Sequence, residues 1–499
     1  MSVHWPIIRR LIAKPFATVI VDDRRSYKAF ELLIAANHAA NAIERQTKAK
    51  NVGLMLPTSG AFPIAAIGAW SAGRTVVPLN YLLKPGELQY VVDDSEIDTI
   101  VTVGPMLDFV GDLPKGVAVL KLEELNFKSL PAPRVPAQPE EEDTAALVYT
   151  SGTSGKPKGV MLSHRAIRAN AKQGASGMEL RTTDTMLGVL PQFHSYGLTQ
   201  LTLTPLMHGV RIVYTARFQP KKLIDLIREH RATCMVGIPS MFNALAAVKS
   251  AGPEDVKSLR LVVSGSEALS DAVFDRFKER YGIPINEGYG MTEMGPATHC
   301  CLHGESRKHT VGPPLPGVEQ RIVDVSDERT LPPGEEGEIR LRGPNQMSGY
   351  WKLPEETASA FDEEGWYRTG DLGKVDPDGY LRITGRIKEI IIVGGENVGP
   401  REIEDVLNRH PAVHASGVVG TSDSVRGEVP IAFVELAEDA GEVAPRDLQA
   451  FCREHLAGYK VPREVHFVDE LPRSPTGKVL RRELMAMRGR GESSETQAV

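Results

Sequence analysis

Four cysteines in 499 residues leave little scope for covalent bracing. Cys300 and Cys301 are adjacent, Cys234 and Cys452 stand alone, and no C-x-x-C pair occurs. Neither a zinc ribbon nor a redox dithiol is therefore supported, and idle thiols in a reducing compartment are the expectation. No apolar run approaches the ~18 residues of a spanning helix. The first residues, MSVHWPIIRRLIAKPF, lack the apolar core of a signal peptide, so the cytoplasm is the default location. Charge of neither sign dominates: 58 basic against 64 acidic side chains gives a net −6. Such a chain has no general attraction for nucleic acid or an anionic membrane, although it has room for a local basic site for phosphate. Internal repeats are absent as well.

What is present is the balance of a soluble globular protein, 41% hydrophobic and 24% charged, with 46 glycines and 35 prolines that imply many loops. At about 150 residues per domain, the length implies about three domains or subdomains. Apolar runs at 17–21, 51–56 and 211–214 alternate with helical patterns around 28–45, 61–73 and 220–231. Strands and helices taking turns predict parallel sheets covered by helices. Further strands are expected at 233–237 and 259–265, with a helix from about 270 to 281. The proline- and acid-rich stretch 130–143 reads as a surface connection. After residue 300 the texture changes. Segments 319–324, 338–343 and 380–385 alternate apolar with polar residues and predict antiparallel strands, with a small barrel in prospect. A last block carries a strand at 389–393 and a helix from Pro400 whose buried face holds Ile403, Val406 and Leu407. It closes with strands near 415–419, 430–435 and 465 and a helix near 445–456, a separate α+β pattern. The tail GRGESSETQAV is polar and expected to be disordered.

One segment stands out chemically. Tyr149 to Gly159, YTSGTSGKPKG, holds three glycines, five hydroxyl side chains (Tyr149, Thr150, Ser151, Thr153, Ser154) and two lysines, Lys156 and Lys158. Glycines such as Gly152 and Gly155 let a loop expose successive N–H groups. Hydroxyls add donors and lysines add charge, which are the needs of a triphosphate. It is not the P-loop of NTPases, because Gly155 comes only three positions after Gly152 and Lys156 is followed by Pro157.

This segment resembles the signature loop of the adenylate-forming superfamily, which includes acyl-CoA synthetases, luciferases and peptide-synthetase adenylation domains. Six further blocks resemble that family in order: PQFHSYGL (191–198), GSEAL (265–269), GYGMTE (288–293), YRTGD (367–371), GRIKEIIIVGGENVGPREIE (385–404) and PRSPTGKVLRREL (472–484). The resemblance covers nearly the whole chain. It implies an α/β fold: a large N-terminal domain (1–387) of two helix-flanked sheets plus a small distorted barrel, then a hinged, smaller α+β C-terminal domain (388–487) and a disordered tail (488–499).

The resemblance also assigns roles. Ser266, Glu267, Gly288, Tyr289, Gly290 and Met291 fall in the adenine blocks, with Tyr289 on the adenine face. Thr292 would donate to the α-phosphate. Asp371, an acceptor-only side chain, suits two ribose hydroxyls, and Arg386 adds a charged donor to ribose or phosphate. Glu293 would be the hard oxygen ligand for Mg²⁺. His194 would line the acyl pocket, Lys478 would bridge carboxylate and α-phosphate, Lys388 would be the hinge, and Gly394 and Gly395 would meet the pantetheine arm. The turn Ser264-Gly265-Ser266-Glu267 departs from the Gly-Ala or Gly-Pro type of many relatives, and Gly399 stands where an aromatic residue or serine is common.

The implied reaction is ATP-dependent activation of a carboxylic acid to its adenylate, with transfer to the thiol of CoA. A medium- or long-chain fatty acid is the expected substrate. An acyl carrier protein is the alternative acceptor; a luciferase-like oxygenase and a non-catalytic AMP-binding protein are the other readings. Phe193, Tyr196, Leu198, Met241, Phe242 and Met294 are expected to give the acyl pocket an apolar lining.

Overall fold

The computed structural model describes residues 1–150, 156–301, 306–437, 440–473 and 479–487. Seven strands form one sheet in the order Gly349–Tyr350, Lys158–Ser163, Thr144–Thr150, Thr75–Pro78, Asn51–Met55, Thr99–Thr102, Ala118–Lys121. Its parallel strands 51–55, 75–78 and 99–102 are buried along their whole length. That is why they read as unbroken apolar runs rather than alternating ones. The eight-stranded second sheet runs Ala297–Cys300, Asn286–Gly290, Leu261–Ser264, Cys234–Gly237, Thr185–Gly188, Arg211–Tyr214, Thr18–Val21, Ser26–Lys28. It is parallel except at its two edge strands.

Helices cover these sheets for local reasons. Helix Ala61–Ser71 is apolar all round, and every residue from Phe62 to Ser71 is buried. A Cβ at Gly68 would stand 2.8 Å from Ala39 Cβ and 3.0 Å from the Ala36 carbonyl. Glycine there and alanines on helix Ala29–Gln46 let the two backbones approach closely. Helix His164–Gly177 starts at Ser163, whose side chain accepts from the Ala166 N–H. Helix Asp271–Tyr281 is capped by Ser270 and stops at Gly282, which holds φ +73°.

The alternating segments after residue 300 form a four-stranded antiparallel sheet, Glu319–Val323, Gly337–Arg342, Tyr367–Val375, Leu381–Arg386. Its two edge strands do not pair with each other, so the expected barrel is an open sheet. A fourth sheet is built from Glu396–Val398, Ile391–Val393, Gly427–Leu436 and Val413–Asp423, with Glu464–Val468 parallel to Gly427–Leu436. Its apolar clusters draw only on residues from 391 onward and share none with the clusters of the first 386 residues. Ile403, Val406 and Leu407 are buried in it, as the helical spacing predicts. The 130–143 stretch is irregular and largely exposed, and it is pinned near its middle: Arg134 Nη2 and the Ala137 N–H both donate to the Ser71 carbonyl.

Candidate active site

Several strands of the eight-stranded sheet end at one crevice, the usual place for a ligand in an open α/β sheet. Strand Leu261–Ser264 runs into Gly265 and Ser266, strand Asn286–Gly290 into Met291 and Thr292, and the segment after Thr185–Gly188 brings His194. The crevice is a cavity of about 260 Å³.

On its nucleotide-like side lie Ser266, Gly288, Tyr289, Gly290, Met291 and Arg386. Ser266 holds φ +71°, a left-handed conformation that favours glycine. A Cβ at Gly290 would stand 1.9 Å from the Pro296 carbonyl oxygen, so only glycine lets the chain fold back here. Behind this wall is Asp371, 4% exposed. The Tyr289 hydroxyl donates to its Oδ2 at 2.6 Å and Arg386 Nε donates to its Oδ1 at 2.5 Å. Asp371 and Arg386 are facing partners on neighbouring antiparallel strands, which fixes the pair. Carboxylate oxygens can accept more than one hydrogen bond, so a diol can still be received.

Where the two halves of the cavity meet, the Ser195 and Thr292 hydroxyls lie 2.9 Å apart. His194 stands beside them, its ring 4.6 Å from that of Phe193. Burial lowers its pKa to about 4, so it is neutral at physiological pH. Its Nε2 is buried without a partner among the described residues. An unpaired buried group costs about 1–3 kcal/mol, which a ligand in this cavity can recover.

Glu293, next to Thr292, is half-buried, and its desolvation raises its carboxyl pKa. The Tyr350 hydroxyl donates to its Oε1 at 2.9 Å, and the Lys158 ammonium lies 5.1 Å from the Tyr350 ring centre. One carboxylate oxygen is thus fixed, with acceptor capacity left over. That fits Mg²⁺, which takes one or two protein carboxylates and completes its shell with phosphate and water. No cluster of three or more His, Cys, Asp or Glu suited to a metal occurs among the described residues.

Other site residues named from the sequence fall elsewhere. Thr150 pairs with Lys158 across the hairpin that carries the signature loop, and Lys156 lies 5.4 Å from the Tyr90 ring centre. The Tyr149 hydroxyl donates to Asp94 Oδ2 at 2.5 Å. Gly394 and Gly395 form the two-residue turn between Ile391–Val393 and Glu396–Val398, both at positive φ (62° and 91°). Thr150, Lys156, Lys158, Glu267, Gly394 and Gly395 do not line the cavity. Ser151, Gly152, Thr153, Ser154, Gly155, Lys478 and the tail 488–499 lie outside the described residues.

The opposite side of the cavity differs from the expected acyl lining. Only Tyr196 of the six named residues reaches it. Leu198, Phe242 and Met294 are fully buried in the hydrophobic clusters, and Phe193 packs edge-on against Tyr81. Helix His164–Gly177 and its neighbours instead supply Gly174, Met178, Gln200, Cys300 and Leu315. No motif marked these, and none marked Tyr350. Ser195 was within reach, since it follows His194 directly.

Comparison with known proteins agrees with this geometry. The family model described as AMP-binding enzyme matches residues 9–351, and the one described as AMP-binding enzyme C-terminal domain matches residues 402–478. The chain is similar to the long-chain-fatty-acid–CoA ligase of Bacillus subtilis (strain 168), 33% identical over 91% of this chain and 88% of that protein. It is also similar to a feruloyl-CoA synthase of Amycolatopsis, 32% identical over 96% and 97%. Its fold matches the crystal structure of ATP-bound MatB from Rhodopseudomonas palustris with a TM-score of 0.88, at 29% identity over 97% and 98% of the two chains. The chain belongs to the AMP-binding enzymes of the adenylate-forming superfamily. Within that family it is an ATP-using, AMP-forming acid–thiol ligase of the acid–CoA kind.

Proposed function

We propose that this ligase activates a monocarboxylic acid whose tail is uncharged and apolar, and passes the acyl group to CoA. The observation that carries this reading is the continuity of one cavity. It runs from the Tyr289–Asp371–Arg386 group, past Ser195, Thr292 and the unpaired His194 Nε2, to a wall that holds no cation for a second carboxylate among the described residues. A carboxylate oxygen of the acid attacks the α-phosphorus of ATP and expels pyrophosphate. The thiol sulfur of CoA then attacks the acyl carbon, AMP leaves and the thiol proton passes to solvent.

In this reading Tyr289 faces adenine, and Asp371 and Arg386 hold the ribose. Ser266, Glu267, Gly288, Gly290 and Met291 shape the adenine side. Thr292 donates to the α-phosphate, and Thr150 to Lys158 cradle the outer phosphates. Glu293 would hold Mg²⁺, which supplies charge neutralisation to the phosphates. Lys478 brings acid and phosphate together, since two anions must meet. Residues 388–487 act as the mobile domain, pivoting at Lys388 to bring Gly394 and Gly395 to the pantetheine arm. The chain works in the cytoplasm; no helix among the described residues is long and apolar enough to cross a membrane.

The test is release of pyrophosphate and AMP from ATP with a panel of acids, with CoA or a holo acyl carrier protein as acceptor. Acid-dependent pyrophosphate release and CoA-dependent AMP release are expected. AMP release that needs the carrier protein would move the acceptor assignment, and a preference for dicarboxylates would overturn the apolar tail.

A further inference from the structure

The tail side of the cavity is lined by two side chains laid on glycines of helix His164–Gly177. A Cβ at Gly174 would stand 2.0 Å from Gln200 Oε1, and one at Gly177 would stand 2.3 Å from Leu315 Cδ2. Both glycines thus make room for the side chain that crosses them. Gln200 is held in place: its Nε2 donates to Asn170 Oδ1 at 2.6 Å and its Oε1 accepts from the Thr204 hydroxyl at 3.3 Å. Asn170 in turn donates to the Ala297 carbonyl at 2.6 Å and accepts from the Ala297 N–H at 3.2 Å, which fixes the adjoining wall. Leu315 is anchored only through its backbone, whose N–H donates to the Thr298 carbonyl at 2.7 Å. Its side chain is held by packing alone.

The space is small. About 260 Å³ must serve both the nucleotide-facing residues and the tail. Ligand pockets that bury a single drug-sized molecule span roughly 300–1,000 Å³. Several polar atoms on the tail side are already paired. His299 pairs with Thr298 Oγ1 at 3.0 Å and with Gln320 Oε1 at 2.9 Å, and Cys300 Sγ donates to the Cys301 carbonyl. Burial keeps His299 neutral, with its pKa lowered to about 4. Among the described residues this side offers no cation to pair a charged tail.

We infer that Leu315 and Gln200 cap the acyl site, so that the acid has a compact, uncharged tail: an aromatic-ring acid or a short- to medium-chain aliphatic acid, not a long-chain one. This narrows the expected medium- or long-chain fatty acid to its short end, and it rests on the ligase reading above. Leu315 is the adjustable half of the cap, and Gly177 sets how far Leu315 can retreat.

The experiment is kcat/KM for pyrophosphate release along straight-chain acids from four to sixteen carbons, with benzoic- and cinnamic-type acids alongside. Wild-type enzyme, Leu315→Ala and Gly177→Ala are compared. The wild type is expected to peak at a compact acid and to fall at least tenfold for acids of fourteen carbons or more. Leu315→Ala should move the optimum to longer chains, with about a fourfold gain for each further methylene admitted. Gly177→Ala pushes Leu315 into the cavity and should shorten the optimum, while the shortest accepted acid keeps its wild-type rate. Wild-type use of palmitate as efficient as of any compact acid overturns the cap. So does an unchanged chain-length profile in both variants. Pyrophosphate release with no acid at all would instead sink the ligase reading on which the cap depends.

Discussion

Tyr350 is the residue whose importance only the structure displays. It sits 57 positions from Glu293 in sequence, yet its hydroxyl donates to that carboxylate while its ring faces Lys158. Hydrogen bonds to charged groups are worth about 1.5–3 kcal/mol. Tyr350→Phe keeps the ring and loses the hydroxyl, so kcat/KM for MgATP should fall roughly 10- to 100-fold in a pyrophosphate-release assay. A wild-type value would remove Tyr350 from the site. Lys478, by contrast, is legible from the sequence alone through the block that carries it. Lys478→Ala should slow adenylation ~10²–10³-fold, a loss of ~3–4 kcal/mol of transition-state stabilisation. Thioester formation from supplied acyl-adenylate should suffer much less. Equal losses in the two half-reactions, measured separately, would contradict the role given to it.

Among elements, those with strong patterns were readable and their neighbours in space were not. The buried strands 51–55 and 99–102 and the helix Pro400–Leu407 follow from apolar runs and helical spacing. Strand order, which sets Thr18–Val21 beside Arg211–Tyr214, depends on long-range pairing that no local pattern encodes. The same limit explains the acyl wall. Phe242 and Met294 are apolar whether they face a ligand or the core, and only packing decides. Strand Asn286–Gly290 offers a test at this scale. Its Glu287 is 8% exposed, and burial raises its pKa from 4.5 to about 7. Arg401 and Asp405 of helix Pro400–Leu407 and Asp271 of helix Asp271–Tyr281 face it, and the Leu269 N–H reaches its carboxylate at 3.4 Å. Between these two pKa values the folded state keeps a proton that the unfolded state has released. Stability therefore falls as pH rises through that window, by on the order of 3 kcal/mol in full. Thermal melts from pH 4.5 to 8 should show this slope in the wild type and a flatter one in Glu287→Gln. Parallel curves would mean that Glu287 is charged throughout.

The whole molecule consists of two sets of sheets with separate apolar cores. Arg481, three positions after Lys478, ties the C-terminal set together. Its Nε donates to Glu389 at 2.9 Å beside the proposed hinge, and its Nη2 donates to Glu404 at 3.1 Å on helix Pro400–Leu407. The terminal block is thereby linked to the segment on which the proposed rotation turns. Lys388→Pro fixes φ near about −65° at the pivot. Acyl-adenylate and pyrophosphate should still appear in a single-turnover experiment, while transfer to CoA should stall. Undiminished thioester turnover in that variant would place the pivot elsewhere.

Cys300, on the wall of the cavity, has a chemical consequence of its own. An enzyme that makes a mixed anhydride beside one of its own thiols is exposed to self-acylation. The attacking species is the thiolate, and burial holds the Cys300 pKa up at about 12. Its proton is turned toward the Cys301 carbonyl. At neutral pH the thiolate is a very minor species, so the activated acyl group outlasts its neighbour and waits for the incoming cofactor.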